Sequence, residues 1–341
     1  LPVVEDCFGP RRSGQPGVIP GVPLVRRVAE LIAKRDRIRQ ERGLYVQSLL
    51  ASPDHVVGVT GVDAVGRERT IRAPAVILAC GGAGAIYARH DNQASVMGQG
   101  YYLAACAGLA LWDMEFVQCY PIVLDEPDMP MMMIYPPYPK EATLIDPSGV
   151  DLLKKHDLGN INQAIVRKRD TFAAMLAAEG KAGPVCMDLR AVPEESWGVH
   201  PLSLLARFKA ECQKRPIRIS PAVHFFMGGV QTNEDGQTDR AGLFACGEMV
   251  WGLHGANRMG GNALMECLVS GRRAGLGAAR WARACRDLPA EPRSVSREAA
   301  TGQERVDLRD LRRRLQAIAW ERAGVVRSRE GMAAGLCMAE E

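Results

Sequence analysis

The chain has 341 residues, of which 47% are hydrophobic and 24% are charged. This composition excludes disorder as the main state, and the length predicts two domains or one large domain with an inserted lobe. The net charge of +4 gives no indication of nucleic-acid binding, and no apolar run is long enough to span a membrane. The 10 cysteines are scattered without a CxxC pair, which predicts reduced cytoplasmic thiols and no metal site.

The predicted elements alternate between strands and helices. Residues 1–23 are rich in Gly, Pro and Arg and are predicted as a loop. Strands are predicted at 45–50, 55–62, 69–72, 75–79 and 184–189, with further strands and turns over 216–247. Helices are predicted at 24–34, 97–112, 151–179, 202–212 and 260–284, and the apolar stripe from Leu308 to Ile318 predicts another. An irregular Pro- and Met-rich stretch is predicted at 125–139.

The strand at 75–79 ends in a run of glycines, which is typical of an α/β sheet that presents its backbone to a cofactor. Glu248 also follows a short apolar run, and its carboxylate can accept from a ribose or ribityl hydroxyl. Gly261 opens a helix whose N–H groups and dipole suit an anionic or electron-rich ring edge. The predicted cofactor-binding residues are Ala79, Gly81, Gly82, Gly247, Glu248, Gly261, Asn262, Ala263 and Leu264. No GxGxxG follows an N-terminal strand, so a self-contained nicotinamide domain is not predicted.

His224 and Arg258 each lie beside small residues, in His224-Phe-Phe-Met-Gly-Gly229 and His254-Gly-Ala-Asn-Arg258-Met-Gly-Gly-Asn262. Together these two segments resemble the flavoprotein subunits of fumarate reductase and succinate dehydrogenase, and also L-aspartate oxidase. Four further stretches fit the same pattern: Ala79–Gly84, Asp113–Gln118, Val185–Arg190 and Ala323–Arg327.

The resemblance implies an α/β, Rossmann-like FAD-binding fold with an inserted α+β capping domain. The FAD-binding fold is expected at 1–117 and 220–285, the cap at 118–219, and the start of a helical C-terminal domain at 286–341. The first βαβ unit of the flavin fold, with its pyrophosphate-binding glycines, is expected to lie upstream of Leu1. The chain by itself is therefore expected to hold FAD weakly.

The resemblance also implies the chemistry, a hydride transfer between flavin N5 and a carbon beside a substrate carboxylate. His224 and Arg258 would hold the carboxylate, and an arginine of the cap would donate or accept the proton. Arg169, followed by Asp170, matches that arginine, with Arg167 as the second choice. An iron–sulfur or other electron-transfer subunit is the implied partner, with a cytoplasmic location, peripheral to a membrane through partner subunits.

One segment departs from the family. Where the family reads Glu-Phe-Val-Gln-Phe-His-Pro-Thr, this chain reads Glu115-Phe-Val-Gln-Cys-Tyr120-Pro-Ile122. Tyr120 is a candidate catalytic residue, although a packed aromatic ring is the other interpretation. The loss of His and Thr argues against a standard dicarboxylate substrate. The alternatives are genuine fumarate reductase, succinate dehydrogenase or L-aspartate oxidase activity, and an electron-relay subunit without a substrate of its own.

Overall fold

The computed structural model describes residues 3–6, 9–12, 21–53, 55–127, 129, 131–285, 292–295 and 307–340. The strands are β1 Val3–Asp6, β2 Gly9–Arg12, β3 Tyr45–Ala51, β4 Val56–Val62, β5 Glu68–Arg72, β6 Val76–Leu78, β7 Leu111–Trp112, β8 Val117–Leu124, β9 Met132–Met133, β10 Thr143–Ile145, β11 Val185–Asp188, β12 Ile217–Phe226, β13 Gly229–Val230, β14 Leu243–Ala245 and β15 Arg293–Val295. The helices are α1 Gly21–Ala33, α2 Gln99–Cys106, α3 Leu152–Lys155, α4 Ile161–Glu179, α5 Lys209–Lys214, α6 Asn262–Ala284, α7 Leu308–Ala323 and α8 Arg329–Glu340.

Two larger sheets and three strand pairs organise the described residues. An antiparallel sheet has the order β10-β11-β12-β8-β9, and a second antiparallel sheet has the order β15-β3-β4-β5. Strands β6 and β14 pair in parallel, with Leu78 opposite Ala245. The pairs β1-β2 and β7-β13 are antiparallel. Parallel β6 and β14 therefore end side by side, which places the glycines that follow each of them at one edge.

The buried residues form two main clusters. One lies within 120–222 and packs β8, β11 and β12 against α4, with Leu124, Phe172 and Met187 at its centre. The other gathers β3, β6, α2 and β14, and Trp320 of α7 packs against it. Except for Ala222, the first cluster lies within the proposed cap, 118–219, although Cys119 and Ala173 of that range belong to the second cluster. Strands β8 and β12 cross the borders of that range and pair with each other, so one sheet continues from one region into the other.

Several predicted elements are confirmed and several differ. The predicted strands at 45–50, 55–62, 69–72 and 184–189 are present with ends shifted by one or two residues. The helix predicted at 97–112 ends at Cys106, because Gly108 has φ +82° and a short strand follows. The range 151–179 forms two helices, because Gly159 interrupts it with φ +72°.

Two other predictions are wrong in part. Residues 202–208 form a 3₁₀ helix before α5 begins, where one amphipathic α-helix was expected. The predicted loop at 1–23 contains the antiparallel pair β1-β2 and the start of α1, while residues 1, 2, 7, 8 and 13–20 lie outside the described part. Of the proposed C-terminal domain, residues 286–291 and 296–306 also lie outside it, as do 128 and 130 of the irregular stretch.

None of the helices in the described ranges is both long and apolar enough to cross a membrane. Within the same ranges, no group of three or more His, Cys, Asp or Glu side chains is arranged to hold a metal ion.

Candidate active site

The glycines after β6 and β14 shape one edge of the parallel pair. Gly81 and Gly247 have φ +74° and +66°, a left-handed conformation that other residues rarely adopt. A Cβ atom at Gly82 would lie 2.2 Å from Oε1 of Glu248, so only glycine lets this carboxylate approach the backbone. Glycine is therefore required at this edge because the Glu248 side chain lies against the backbone there, whereas the sequence predicted a close approach to a cofactor.

Glu248 is a half-buried residue whose carboxyl group faces this edge. Its Oε1 accepts a hydrogen bond from the backbone N–H of Phe226 at 2.9 Å. Burial raises the pKa of the Glu248 carboxyl, although the Phe226 N–H, the charge of His224 and the Gly82 N–H act in the opposite direction. A polar ligand that donates to this carboxylate would relieve part of the desolvation.

The N-terminus of α6 opens onto solvent. Gly261 has φ +85° and no side chain caps the helix, while Gly261, Asn262 and Leu264 are exposed and Ala263 is half-buried. Ala79 at the end of β6 is exposed as well. An uncapped helix start beside glycine backbone and a buried acceptor fits the polar edge of a large cofactor.

Arg258 is buried, with 5% of its surface exposed. Its Nη2 donates to Oε1 of Gln118 at 2.8 Å, and its guanidinium lies 4.5 Å from the ring centre of Phe225. Its Nε has no hydrogen-bond partner among the described residues. Burial lowers the pKa of Arg258, and the nearby charge of Arg169 lowers it further. A buried cation that has an unpaired hydrogen-bond donor favours the binding of an anionic group.

Arg169 reaches the same place from α4. Its Nη2 donates to the backbone oxygen of Arg258 at 2.9 Å and to Oδ1 of Asn257. The helix is interrupted at Lys168, where φ is −146° and ψ is 37°, one residue before Arg169. Like Arg258, Arg169 has a buried Nε without a hydrogen-bond partner in the described part of the chain. Arg167 is exposed, so the structure brings together Arg169 and Arg258 and leaves Arg167 apart.

His224 lies on β12 with a quarter of its side chain exposed. Its Nδ1 is 2.8 Å from Oδ2 of Asp91, and its ring centre is 6.2 Å from that of Tyr120. Tyr120 is buried, and its hydroxyl lies 3.4 Å from that of Tyr138. Ile122 belongs to the same segment as Tyr120, the one that departs from the family. It is fully buried in the cluster of buried residues within 120–222.

Four polar residues of the site were not among the predicted ones: Asp91, Gln118, Asn257 and Tyr138. Gln118 and Asn257 lie inside the segments that carry the family resemblance, so position in a motif could have identified them. The sequence offered no signal for Asp91 or Tyr138, because each reaches the site only through the tertiary fold. Gln118 also donates from Nε2 to the backbone oxygen of Arg258 at 2.9 Å. It therefore holds both the side chain and the backbone of Arg258.

A buried contact between a histidine and a glutamate anchors the loop that carries Arg258. Nε2 of His254 lies 2.8 Å from Oε2 of Glu266, and the two side chains are only 5% and 3% exposed. The ring of His254 also packs edge-on against Phe225. This contact joins the loop to α6 and holds Arg258 close to the helix N-terminus.

The C-terminal segment closes one side of the site. Nη1 of Arg327 donates to the backbone oxygen of Glu115 at 2.7 Å, just before β8. A cavity of about 190 Å³ lies there, lined by Gln118, Asn257, Asp170 and Arg327 among others. The stretch Ala323–Arg327, noted for its resemblance, therefore lies close to the polar residues that hold Arg258.

The sequence matches the family of FAD binding domains over residues 7–264, and the chain belongs to this family. It is 31% identical over 339 residues to one subunit of the fumarate reductase (CoM/CoB) of Methanothermobacter marburgensis, an alignment that covers 94% of this chain and 61% of the relative. It is 32% identical over 277 residues to the L-aspartate oxidase of a Nostoc species, covering 78% of this chain and 48% of the relative. The chain thus spans about half to three fifths of the length of these relatives.

Solved structures of other proteins also have folds similar to that of this chain. The Mycobacterium smegmatis Sdh1 complex in the apo form contains a chain with a TM-score of 0.74 and 28% identity, covering 93% of this chain and 57% of that one. A quinol-fumarate reductase with menaquinol molecules gives a TM-score of 0.78 at 25% identity, covering 96% of this chain and 61% of that one. These findings confirm the resemblance, the α/β FAD-binding fold and FAD as the cofactor of the family, which the glycine-lined edge fits.

Proposed function

We propose that the protein is an FAD-dependent oxidoreductase that transfers a hydride between flavin N5 and a carbon beside a carboxylate of a small substrate. The observation that carries this proposal is buried Arg258, whose Nε makes no hydrogen bond among the described residues, with Arg169 bonded to its backbone oxygen. Arg258 lies over Phe225, the residue after His224, and the charges of both Arg258 and His224 act on the Glu248 carboxyl at the glycine-lined edge that fits FAD. The names of the relatives support the reaction class, since a fumarate reductase and an L-aspartate oxidase are among them.

Each residue has a distinct role in this proposal. FAD, when bound, would supply the hydride acceptor or donor. Ala79, Gly81, Gly82, Gly247, Glu248 and the start of α6 would hold it. Arg258 and His224 bind the substrate carboxylate, and their donors polarise the adjacent bond. Arg169 holds or delivers the proton, in a place where Asn257 and the backbone of Arg258 fix its Nη2. Tyr120 lines the site beside His224.

The substrate in this proposal is not a standard dicarboxylate. Tyr120 and Tyr138 bring hydroxyl groups, and no cation, to the side of the site where the family has a histidine. The first alternative, genuine fumarate reductase, succinate dehydrogenase or L-aspartate oxidase activity, is favoured by the names of the relatives. A second alternative is an electron-relay subunit without its own substrate.

An electron-transfer partner, such as an iron–sulfur subunit, is part of the proposal, because solved relatives include a chain from a complex. The proposed location is the cytoplasm, with contact to a membrane only through partner subunits.

The test is anaerobic reoxidation of the reduced, flavin-loaded protein by a panel of small carboxylates, followed at the visible absorbance of the flavin. We expect at least one α,β-unsaturated or imino carboxylate to reoxidise the flavin, and Arg258→Ala to abolish the reaction while flavin stays bound. If no carboxylate reoxidises the flavin but a one-electron dye does, the relay alternative is correct. Fast reoxidation by fumarate would favour the first alternative.

A further inference from the structure

His224 is held by the carboxylate of Asp91, which lies outside the segments that carry the family resemblance. Nδ1 of His224 lies 2.8 Å from Oδ2 of Asp91, whose side chain is only 7% exposed. The other carboxylate oxygen of Asp91 accepts from Nδ2 of Asn92 at 3.0 Å, and the same amide donates to the backbone oxygen of His224 at 3.0 Å. Both oxygens of Asp91 are therefore engaged, and one of them is committed to the imidazole.

The backbone supports this pairing. The loop at 89–92 lies against β12, with the backbone N–H of Val223 donating to Arg89 at 2.9 Å and that of Asp91 donating to Val223 at 3.2 Å. A Cβ at Gly84 would come within 2.4 Å of Oδ1 of Asn92, so glycine there leaves room for the amide. Asp91 is thus fixed next to His224 by a bridge between two distant parts of the chain.

The pairing decides which nitrogen His224 offers. An imidazole that gives its Nδ1–H to a carboxylate has only Nε2 left for a ligand, and Nε2 can donate only when the ring carries both protons. The contact with Asp91 therefore decides which nitrogen of His224 is left for a ligand.

We propose that Asp91 is a positioning residue for His224: it accepts the Nδ1–H, so that Nε2 is the nitrogen left to meet a substrate carboxylate. This inference rests on the proposed function for the identity of the ligand.

The first measurement needs no turnover. Long-range proton–nitrogen NMR spectra of protein labelled with ¹⁵N in its histidines distinguish the two neutral tautomers from the doubly protonated ring. His224→Gln assigns the signal among the 6 histidines. We expect a proton on Nδ1 of His224 in the unmodified protein, loss of this preference for Nδ1 in Asp91→Asn and its return in Asp91→Glu. Asp125→Asn is the matched control, because Asp125 pairs with Arg89 at 3.1 Å and does not bond to His224.

The second measurement uses crotonate, which has one carboxylate, and follows the ring signals of His224 in the same samples with FAD added. Asp91→Asn should weaken crotonate binding at least about tenfold, while Asp125→Asn should leave it unchanged. A proton on Nε2 alone in the unmodified protein, or the same distribution of protons over the two nitrogens in Asp91→Asn, would overturn the role of Asp91. Equal crotonate affinity in Asp91→Asn and Asp125→Asn would overturn it too. If the unmodified protein binds neither crotonate nor fumarate, the proposed function fails instead, and the ring state alone decides the role of Asp91.

Discussion

At the scale of single residues, the contacts of Arg258 require a guanidinium. Its Nη2 bonds to Gln118, its plane lies over Phe225, and its Nε remains for a ligand. A lysine would keep the charge and lose both the stacking and the planar set of donors. Arg258→Lys should therefore lower kcat/KM by about 30- to 1000-fold, equivalent to about 2–4 kcal/mol of transition-state stabilisation.

The measurement is turnover of the flavin-loaded variant with the best carboxylate of the panel. Arg207→Lys is the control, because Arg207 is exposed on the 3₁₀ helix after Pro201. Unchanged turnover in Arg258→Lys with flavin still bound would show that Arg258 does not anchor the substrate.

Glu248 gives a prediction about pH. Burial raises its pKa above the ordinary 4.5, so as the pH rises the unfolded chain releases this proton before the folded protein does. The contribution of Glu248 to stability is therefore most favourable below pH 4.5 and is lost as the pH rises through the raised pKa. Glu248→Gln keeps an acceptor for the Phe226 N–H without the charge, and should raise the free energy of unfolding of the flavin-free protein at pH 7.

The check is chemical denaturation of both proteins at pH 4 and pH 7. The advantage of Glu248→Gln should be present at pH 7 and small at pH 4, while FAD should bind more weakly to the variant than to the unmodified protein. A variant that is less stable at pH 7 would mean that the charged carboxylate stabilises the folded protein.

The site residues predicted from the sequence all came from local motifs. Residues that reach the site only through the tertiary fold were therefore not predicted. Arg258, Glu248 and Gly261 belong to continuous segments whose glycines and charges are visible in the sequence. Asp91 stands in a loop and reaches His224, 133 positions away, only because residues 89–92 lie along β12. Such a contact depends on the tertiary fold, and no spacing in a single sequence reports it.

At the scale of elements, α4 and α6 differ in what their sequences reveal. The long apolar and small-residue pattern of α6 predicted its length closely, since the observed helix is Asn262–Ala284. No glycine or proline lies near Lys168, so the sequence does not predict the interruption of α4 there. Arg169, the next residue, bonds to Asn257 and to the backbone of Arg258, so tertiary contacts at the site accompany the interruption.

The glycines of α6 give a matched pair of substitutions. A Cβ at Gly275 would meet no atom within 4 Å, whereas one at Gly277 would lie 2.5 Å from the backbone oxygen of Asp235 and 3.1 Å from the ring of Phe244. Gly275→Ala should stabilise the protein by about 0.5–1 kcal/mol, because alanine loses less backbone entropy in a helix. Gly277→Ala should destabilise it by about 1–3 kcal/mol, because the helix would be forced away from β14.

Thermal and urea unfolding of the two variants, with the unmodified protein alongside, measures both effects. The opposite signs are the critical result, since helix propensity alone predicts stabilisation in each case. Two stabilised variants would mean that α6 does not pack closely against the 235–244 segment.

At the scale of the whole molecule, the site lies where the proposed cap meets the glycine-lined edge. Arg258 and His224 come from segments beyond the cap, whereas Tyr120, Tyr138 and Arg169 come from within 118–219. A dicarboxylate needs donors at both ends. In the proposed site His224 and Arg258 hold one end, and the cap contributes the hydroxyl groups of Tyr120 and Tyr138 and the fully buried Ile122.

A second carboxylate held there would lose its hydration without an ion pair to replace it, at a cost of several kcal/mol. An uncharged group would bear no such cost. Fumarate and succinate should therefore turn over at least about a hundredfold more slowly than the best monocarboxylate, which requires only about 2.7 kcal/mol of discrimination. Tyr120→His, which restores a group able to donate and to carry charge, should reduce this difference by raising the rate with fumarate.

Steady-state kinetics of the flavin-loaded protein measure this difference, with a reduced dye and fumarate or crotonate in one direction and an oxidised dye and succinate in the other. Tyr120→Phe is the matched variant, because it keeps the ring that packs near His224 and removes only the hydroxyl. If the hydroxyl pair serves an uncharged substrate, Tyr120→Phe should leave the poor rate with fumarate unchanged. Turnover of fumarate on the order of tens per second by the unmodified protein, lost in Tyr120→Phe, would instead mean that the hydroxyl pair binds the second carboxylate. The fumarate reductase alternative would then be the correct one.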